Sequence, residues 1–127
     1  MKIILRLIIP VLNDADLDSH VSDHFGRAPF FAIVEIDDKG EIQSHRITPN
    51  LSEHMGGFGK PADHLLKMEP DAIVAMRMGP KAIGLFQEAK VAVLRTNSNI
   101  VRDVIDAYKN DELVELTEGC LEARHPE

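Results

Sequence analysis

The sequence predicts an α/β domain built on a mixed five-stranded sheet, its second strand antiparallel to the others, with helices on both faces. Three observations predict it: an almost unbroken apolar run at residues 2–9, the turn signal DDKG at residues 37–40 between two strand-like segments, and then three helical patterns alternating with two short apolar strands. A strand covered on both faces reads as a continuous apolar run, so residues 2–9 are expected near the middle of the sheet. The second strand, Phe30–Ile36, has the same character. DDKG closes a hairpin onto Glu41–Ile47, whose mixed polarity puts it nearer an edge.

From there the rhythm changes. Pro61 suits the first turn of a helix, and Ala62, Leu65, Leu66 and Glu69 fall on one side of it. DAIVAM at residues 71–76 follows as a buried strand. Gly79 and Pro80 start a second helix with Ala82, Ile83, Phe86 and Ala89 inward, and VAVLRT at 91–96 is the next strand. A third helix is expected over Asn99–Lys109, where Ile100, Val101, Val104, Ile105 and Tyr108 form one stripe and Asn110 suits a left-handed cap. Beyond residue 112 only LVEL has the pattern of structured chain. The expected organisation is therefore a domain at 1–116 and a C-terminal tail at 117–127, without repeats or linkers.

A chain of 127 residues fits one domain that buries roughly two-thirds of its unfolded surface, so no metal or disulfide is needed to hold it together. The single cysteine, Cys120, excludes an internal disulfide and suits a reducing, cytoplasmic location. Arg6 and Pro10 interrupt the opening apolar run and no small-residue cleavage site follows, so the segment reads as a strand and not as a signal peptide. No run approaches the ~18 apolar residues of a membrane span, and no membrane partner is expected. A net charge of -7, one tyrosine, no tryptophan and no basic cluster argue against nucleic acid as a partner.

In open α/β sheets ligands bind outside the carboxyl ends of the parallel strands. With the second strand reversed, that rim collects residues 10–28, 50–60, 77–80 and 96–99. It thereby gathers His20, Ser22, Asp23, His24 and Arg27; His54 with Gly56, Gly57 and Gly59; Arg77 and Gly79; and Asn97. Helix starts near Lys60 and Gly79 turn unpaired N–H groups the same way. Two chemistries follow: metal ligation through imidazoles, with His24 and His54 the best pair, or capture of an anion by arginines and backbone donors. His20 stands four residues before His24, but Gly26 and Pro29 oppose a long helix there. His45, His64 and His125 read as surface residues. Cys120 is a candidate thiolate if the tail folds back, yet one cysteine cannot supply a standard four-cysteine cluster site. Such a cluster would have to bring most of its own bonding.

Other motifs fail on their own terms. DADLD at residues 14–18 starts like a calcium loop, but Ser19 replaces the needed glycine and Phe25 stands where the bidentate glutamate belongs. GFGKPA at 57–62 satisfies G-x-G-x-x-A, yet it follows a long loop from an edge strand, and no acidic residue ends the next strand to hold a ribose. No phosphate-binding loop and no nucleophile elbow is present, so no catalytic residue is assigned.

SDHFGRAPFFAIVEID at residues 22–37 and EHMGGFGKPADHLLKMEPDAIVAMRMGPKAIGLFQEAKVAVLRT at residues 53–96, in that order, resemble the dinitrogenase iron-molybdenum cofactor biosynthesis family, the nitrogenase accessory factor domain. The similarity spans about residues 1–116, and S-x-H-F-G-R-A-P is its most specific part. The resemblance implies a three-layer α/β/α ribonuclease-H-like fold and a small non-catalytic carrier or chaperone for an iron-molybdenum cofactor, its precursor or a related metal-sulfur cluster. By position His24 matches the family's histidine and His54 falls in its second loop; together with the rim residues above, the expected cofactor contacts are Ser22, His24, Gly26, Arg27, His54, Gly56, Gly57, Gly59, Arg77 and Gly79, and the expected metal ligands are His24 and His54, with Cys120 as an optional thiolate. Cluster-assembly or acceptor proteins are the implied partners. The second loop departs from the family pattern, keeping one histidine with Met55 and Phe58 beside it where relatives carry H-G-H-G. Two other readings of the same rim remain: an enzyme or regulatory domain for a phosphate-bearing ligand, and an interaction module with no ligand of its own.

Overall fold

The computed structural model of the chain describes residues 3–52 and 60–116. Six strands and three helices follow in the order β1 (Ile4–Val11), β2 (Phe30–Asp37), β3 (Ile42–Pro49), α1 (Pro61–Leu66), β4 (Ala72–Ala75), α2 (Pro80–Glu88), β5 (Ala92–Arg95), α3 (Val101–Lys109) and β6 (Val114–Glu115). A short 3-10 turn at Asp16–Asp18 interrupts the β1–β2 connection. The strands form one mixed sheet in the order β3-β2-β1-β4-β5-β6. β1, β3, β4 and β5 run in one direction and β2 against them, which is the expected topology.

The sheet has six strands and not five. The extra one, β6, comes from the LVEL segment: Glu115 pairs with Leu94 and Val114 with Arg95, antiparallel to β5. Two paired residues give almost no sequence signal, and what fixes them is the next side chain. Leu116 is buried among residues of α2 and β5, its N–H donates to the Val93 carbonyl at 2.7 Å, and its carbonyl accepts from Gln87 Nε2 at 3.0 Å.

Alternation along the strands divides the core in two. Ile8, Phe31, Ile33, Ile73, Ala75 and Val93 face α1 and α2, meeting Ala62, Leu65, Ile83 and Phe86. Leu7, Ile9, Val11, Ala32, Val34 and Val74 face Val101, Val104 and Ile105 of α3. Because side chains two apart share a face, these two clusters lie on opposite sides of the sheet, and helices cover both. Smaller expectations shift. Ala89 is exposed at the end of α2, and α3 starts at Val101 because Ile100 is extended. The left-handed residue after α3 is Asp111, not Asn110.

Arg6, the charge that breaks the apolar opening, is held by three segments. Its guanidinium donates to Glu35 Oε2, from Nε at 3.2 Å and from Nη2 at 3.0 Å, and to the Met68 carbonyl; its backbone N–H donates to Asp71 Oδ2 at 2.7 Å. Ser44 Oγ donates to Glu35 Oε1 at 2.7 Å. The hydrogen bond from Ser44, followed by that from Arg6, holds the Glu35 carboxyl below its ordinary value of 4.5. A carboxyl with a lowered folded pKa contributes stability that is complete above the unfolded value and is lost as pH falls through the folded one. Glu35→Gln is therefore expected to flatten the pH dependence of the urea midpoint below pH 4.5 and leave it unchanged above. Parallel acid profiles for the two proteins would show that the Arg6–Glu35–Ser44 contacts add nothing.

Candidate functional site

The site begins with a gap in the sheet. β1 pairs with β4 only at Leu7 and Ile8, and Pro10, further along, has no N–H for a ladder. The carboxyl ends of these two parallel strands therefore lack a continuous ladder, and the chain itself fills the slot. Val21 bridges Val11, His20 bridges Ile100, and Ser22 N–H donates to the Pro10 carbonyl at 2.9 Å. Residues 20–22 thus act as a short insert between β1 and the start of α3, and residues 23–26 emerge beside it on the α1/α2 side.

Phe25 fixes that emergence. It is buried, 5.8 Å from the Phe31 ring and 5.6 Å from the Phe86 ring in an edge-to-face contact. With the central residue of the motif turned into the core, the exposed Asp23 and His24 stand at the surface. Ser22, itself buried, pins the histidine's main chain: its Oγ donates to the His24 carbonyl at 2.9 Å and accepts from the His24 N–H at 3.2 Å. Asn50, buried just after β3, holds the other end of the same loop. Its amide nitrogen donates to the Gly26 and Ala28 carbonyls at 3.1 and 2.8 Å, its Oδ1 accepts from Ser52 N–H at 2.9 Å, and its own N–H donates to the Pro29 carbonyl at 2.9 Å.

The first loop and the starts of α1 and α2 together surround a cleft of about 540 Å³. Phe25, Pro61, Ala62 and Met78 form a buried apolar floor, and His24, Lys60, Arg77 and Lys81 stand at its exposed rim with Asp23. Three permanent cations face one carboxylate, so the local field opposes the net charge of -7. Arg77 Nη2 donates to Asp23 Oδ2 at 2.9 Å across the mouth. Both partners are largely exposed, and such a pair is worth at most about 1 kcal/mol, so an anion can displace it. Pro80 at the first position of α2 has no N–H, but the following residues of that turn carry donors with no partner inside the helix.

Of the residues expected at the rim, His24, Gly26, Arg77 and Gly79 line this cleft together, as does Lys60. Ser22 lies beneath it. Arg27 is exposed but outside the lining, His20 is held in the bridge to Ile100, and Asn97 lines a separate depression beside β6. His54, Gly56, Gly57, Gly59 and Cys120 lie outside the described residues. Among the described residues, no group of three or more His, Cys, Asp or Glu side chains is placed to hold a metal ion. Lys81 and Met78 line the cleft and Asn50 supports its loop, although the sequence pattern does not single them out. Asn50 had a signal, since an asparagine directly after a strand often accepts from the backbone N–H two residues on in an Asx turn, as it does here from Ser52.

A family model described as dinitrogenase iron-molybdenum cofactor matches residues 6–111. The chain is 30% identical over 112 residues to an uncharacterised protein of Methanocaldococcus jannaschii, MJ0580, covering 87% of this chain and 90% of that one. Two solved structures share the fold. PH0822 superimposes with a TM-score of 0.73 at 24% identity, covering 88% of this chain and 96% of its own. The apo form of the orange protein from Desulfovibrio gigas does so with a TM-score of 0.72 at 21% identity, covering 87% and 92%. No helix among the described residues is long and apolar enough to cross a membrane.

Proposed function

Because the chain belongs to the dinitrogenase iron-molybdenum cofactor family, we propose that it is a small cytoplasmic carrier or chaperone whose cargo is an iron-molybdenum cofactor, its precursor or a related anionic metal-sulfur cluster. The observation that carries this reading is the rim cleft, where one exposed imidazole stands among Lys60, Arg77 and Lys81 over an apolar floor. A bare metal ion would need several ligands from the chain, and the described residues offer no such group. A preassembled cluster brings its own sulfur ligands and needs a complementary cradle. Lysine and arginine offset its charge, the first turn of α2 adds backbone donors, and the apolar floor accepts its weakly hydrated sulfide surface. In this reading His24 and His54 ligate or contact the cluster, and Arg27 helps offset its charge. Cys120, in the tail that follows residue 116, is an additional thiolate.

The ribonuclease-H-like three-layer arrangement is part of the same proposal, supported by the β3-β2-β1-β4-β5 order and by helices on both faces. A carrier hands on what it holds, so its partners are the proteins that assemble or accept the cluster, and no reaction at the cleft is required.

The test is to mix protein purified without oxygen with isolated iron-molybdenum cofactor, separate the two by gel filtration, and measure iron, molybdenum and the visible spectrum in the protein peak. Both metals are expected to co-elute with the protein. His24→Ala is expected to weaken binding about tenfold or more, the value of one hydrogen bond to a charged group. Metals eluting free of the wild-type protein would end the carrier reading. A His24→Ala, His54→Ala double variant that binds as tightly as the wild type would remove the imidazoles from it.

A further inference from the structure

We infer that Asn50 is a positioning residue for the cleft, a latch that ties the loop carrying His24 and Gly26 to the chain leaving β3 so that this wall of the cleft holds one geometry. The inference rests on the carrier reading for its binding consequence but not for its structural one. Asn50 is only 6% exposed and uses its whole side-chain amide: two donations to the Gly26 and Ala28 carbonyls and one acceptance from Ser52 N–H. The first two partners lie 24 and 22 residues earlier in the chain, on the wall that carries His24, and the third lies two residues later. No other described side chain joins the first loop to residues 50–52 by a hydrogen bond.

Both directions of the amide matter. A donor alone would hold the first loop and leave Ser52 N–H unpaired. An acceptor alone would do the reverse. Only asparagine offers the two at this reach from the main chain. Ser22 pins the His24 main chain locally, and Asn50 sets where that pinned unit sits relative to the end of β3.

The experiment compares Asn50→Ala, Asn50→Asp and a control, Val104→Ala, which removes buried side-chain volume on the α3 face away from the cleft. Two readouts are taken under conditions where each protein is folded: the His24 imidazole proton resonances, assigned by their loss in His24→Ala, and affinity for isolated iron-molybdenum cofactor without oxygen. Asn50→Ala and Asn50→Asp are both expected to shift or broaden the His24 resonances and to lower affinity at least tenfold. Aspartate fails because its carboxylate keeps the Ser52 contact but faces two carbonyls with no donor. Val104→Ala is expected to leave both readouts unchanged. Unaltered His24 resonances in both Asn50 variants would overturn the latch, as would an equal change in Val104→Ala. If the wild-type protein binds no cofactor, the carrier reading fails while the His24 resonances still decide the role of Asn50. Should Asn50→Ala fail to fold, Asn50→Asp, nearly the same in shape, carries the comparison.

Discussion

Replacing Phe25 with alanine is expected to cost about 3–5 kcal/mol of folding stability, the range for truncating a buried phenylalanine, and to abolish cofactor binding at concentrations where the wild type is saturated. Phe25 packs against both Phe31 of β2 and Phe86 of α2, so its ring ties the first loop to the sheet and to the helix whose first turn lines the cleft. The lost side chain leaves a cavity between elements that cannot collapse onto one another. A single domain holds about 5–15 kcal/mol in total, so the variant is expected to remain folded at 25 °C with a much lower urea midpoint. Phe25→Leu keeps most of the buried area and loses the edge-to-face geometry, itself worth about 0.5–1.5 kcal/mol. It is expected to recover most of the stability and part of the binding. A cost below 1 kcal/mol for Phe25→Ala would mean that the aromatic contacts do not anchor the loop.

The second large effect concerns charge. Lys60 and Lys81 stand at the starts of α1 and α2, and neither has a described side-chain ion pair, whereas Arg77 is shared with Asp23. A hydrogen bond to a charged group contributes about 1.5–3 kcal/mol, toward the lower end where water and salt reach it. Removing both lysines is therefore expected to weaken binding of the anionic cofactor about a hundredfold at low salt, with the difference shrinking as salt is raised. Lys39→Ala, in the turn at the other end of the sheet, is expected to change nothing. If Lys60→Ala, Lys81→Ala binds like the wild type at low salt, the cleft is not recognising charge.

Much of this placement is legible in the chain because the fold obeys simple periodicities. DDKG sets the reversal of β3 against β2, and Pro61 and Pro80 mark the starts of α1 and α2. Once β1, β3, β4 and β5 are parallel, His24, Arg77 and Gly79 must fall at one end of the sheet. What the sequence hides is the way the rim divides. His20 and His24 are four residues apart, yet one pairs with Ile100 while the other borders the cleft, because residues 20–22 fill the gap left where the β1–β4 ladder stops. No periodicity encodes that insertion, which depends on pairing between segments some eighty residues apart. Asn97 fails for a related reason, since β5 stands one strand farther from β1 than β4 does. β6 is not legible in the sequence because two residues cannot show an alternation, and the burial of Leu116 that fixes it is a tertiary fact.

The most direct test of the cleft as the cargo site is a titration of isotope-labelled protein with isolated iron-molybdenum cofactor without oxygen, followed through backbone amide signals. The cluster's unpaired electrons broaden nearby signals, so the amides of Asp23, His24, Gly26, Arg77, Gly79, Lys81 and Ala82 are expected to lose intensity first, while those of Gly40, Tyr108 and Asp111 at the other end of the sheet persist. Broadening centred on Gly40 and Tyr108, or uniform broadening with no centre, would contradict it.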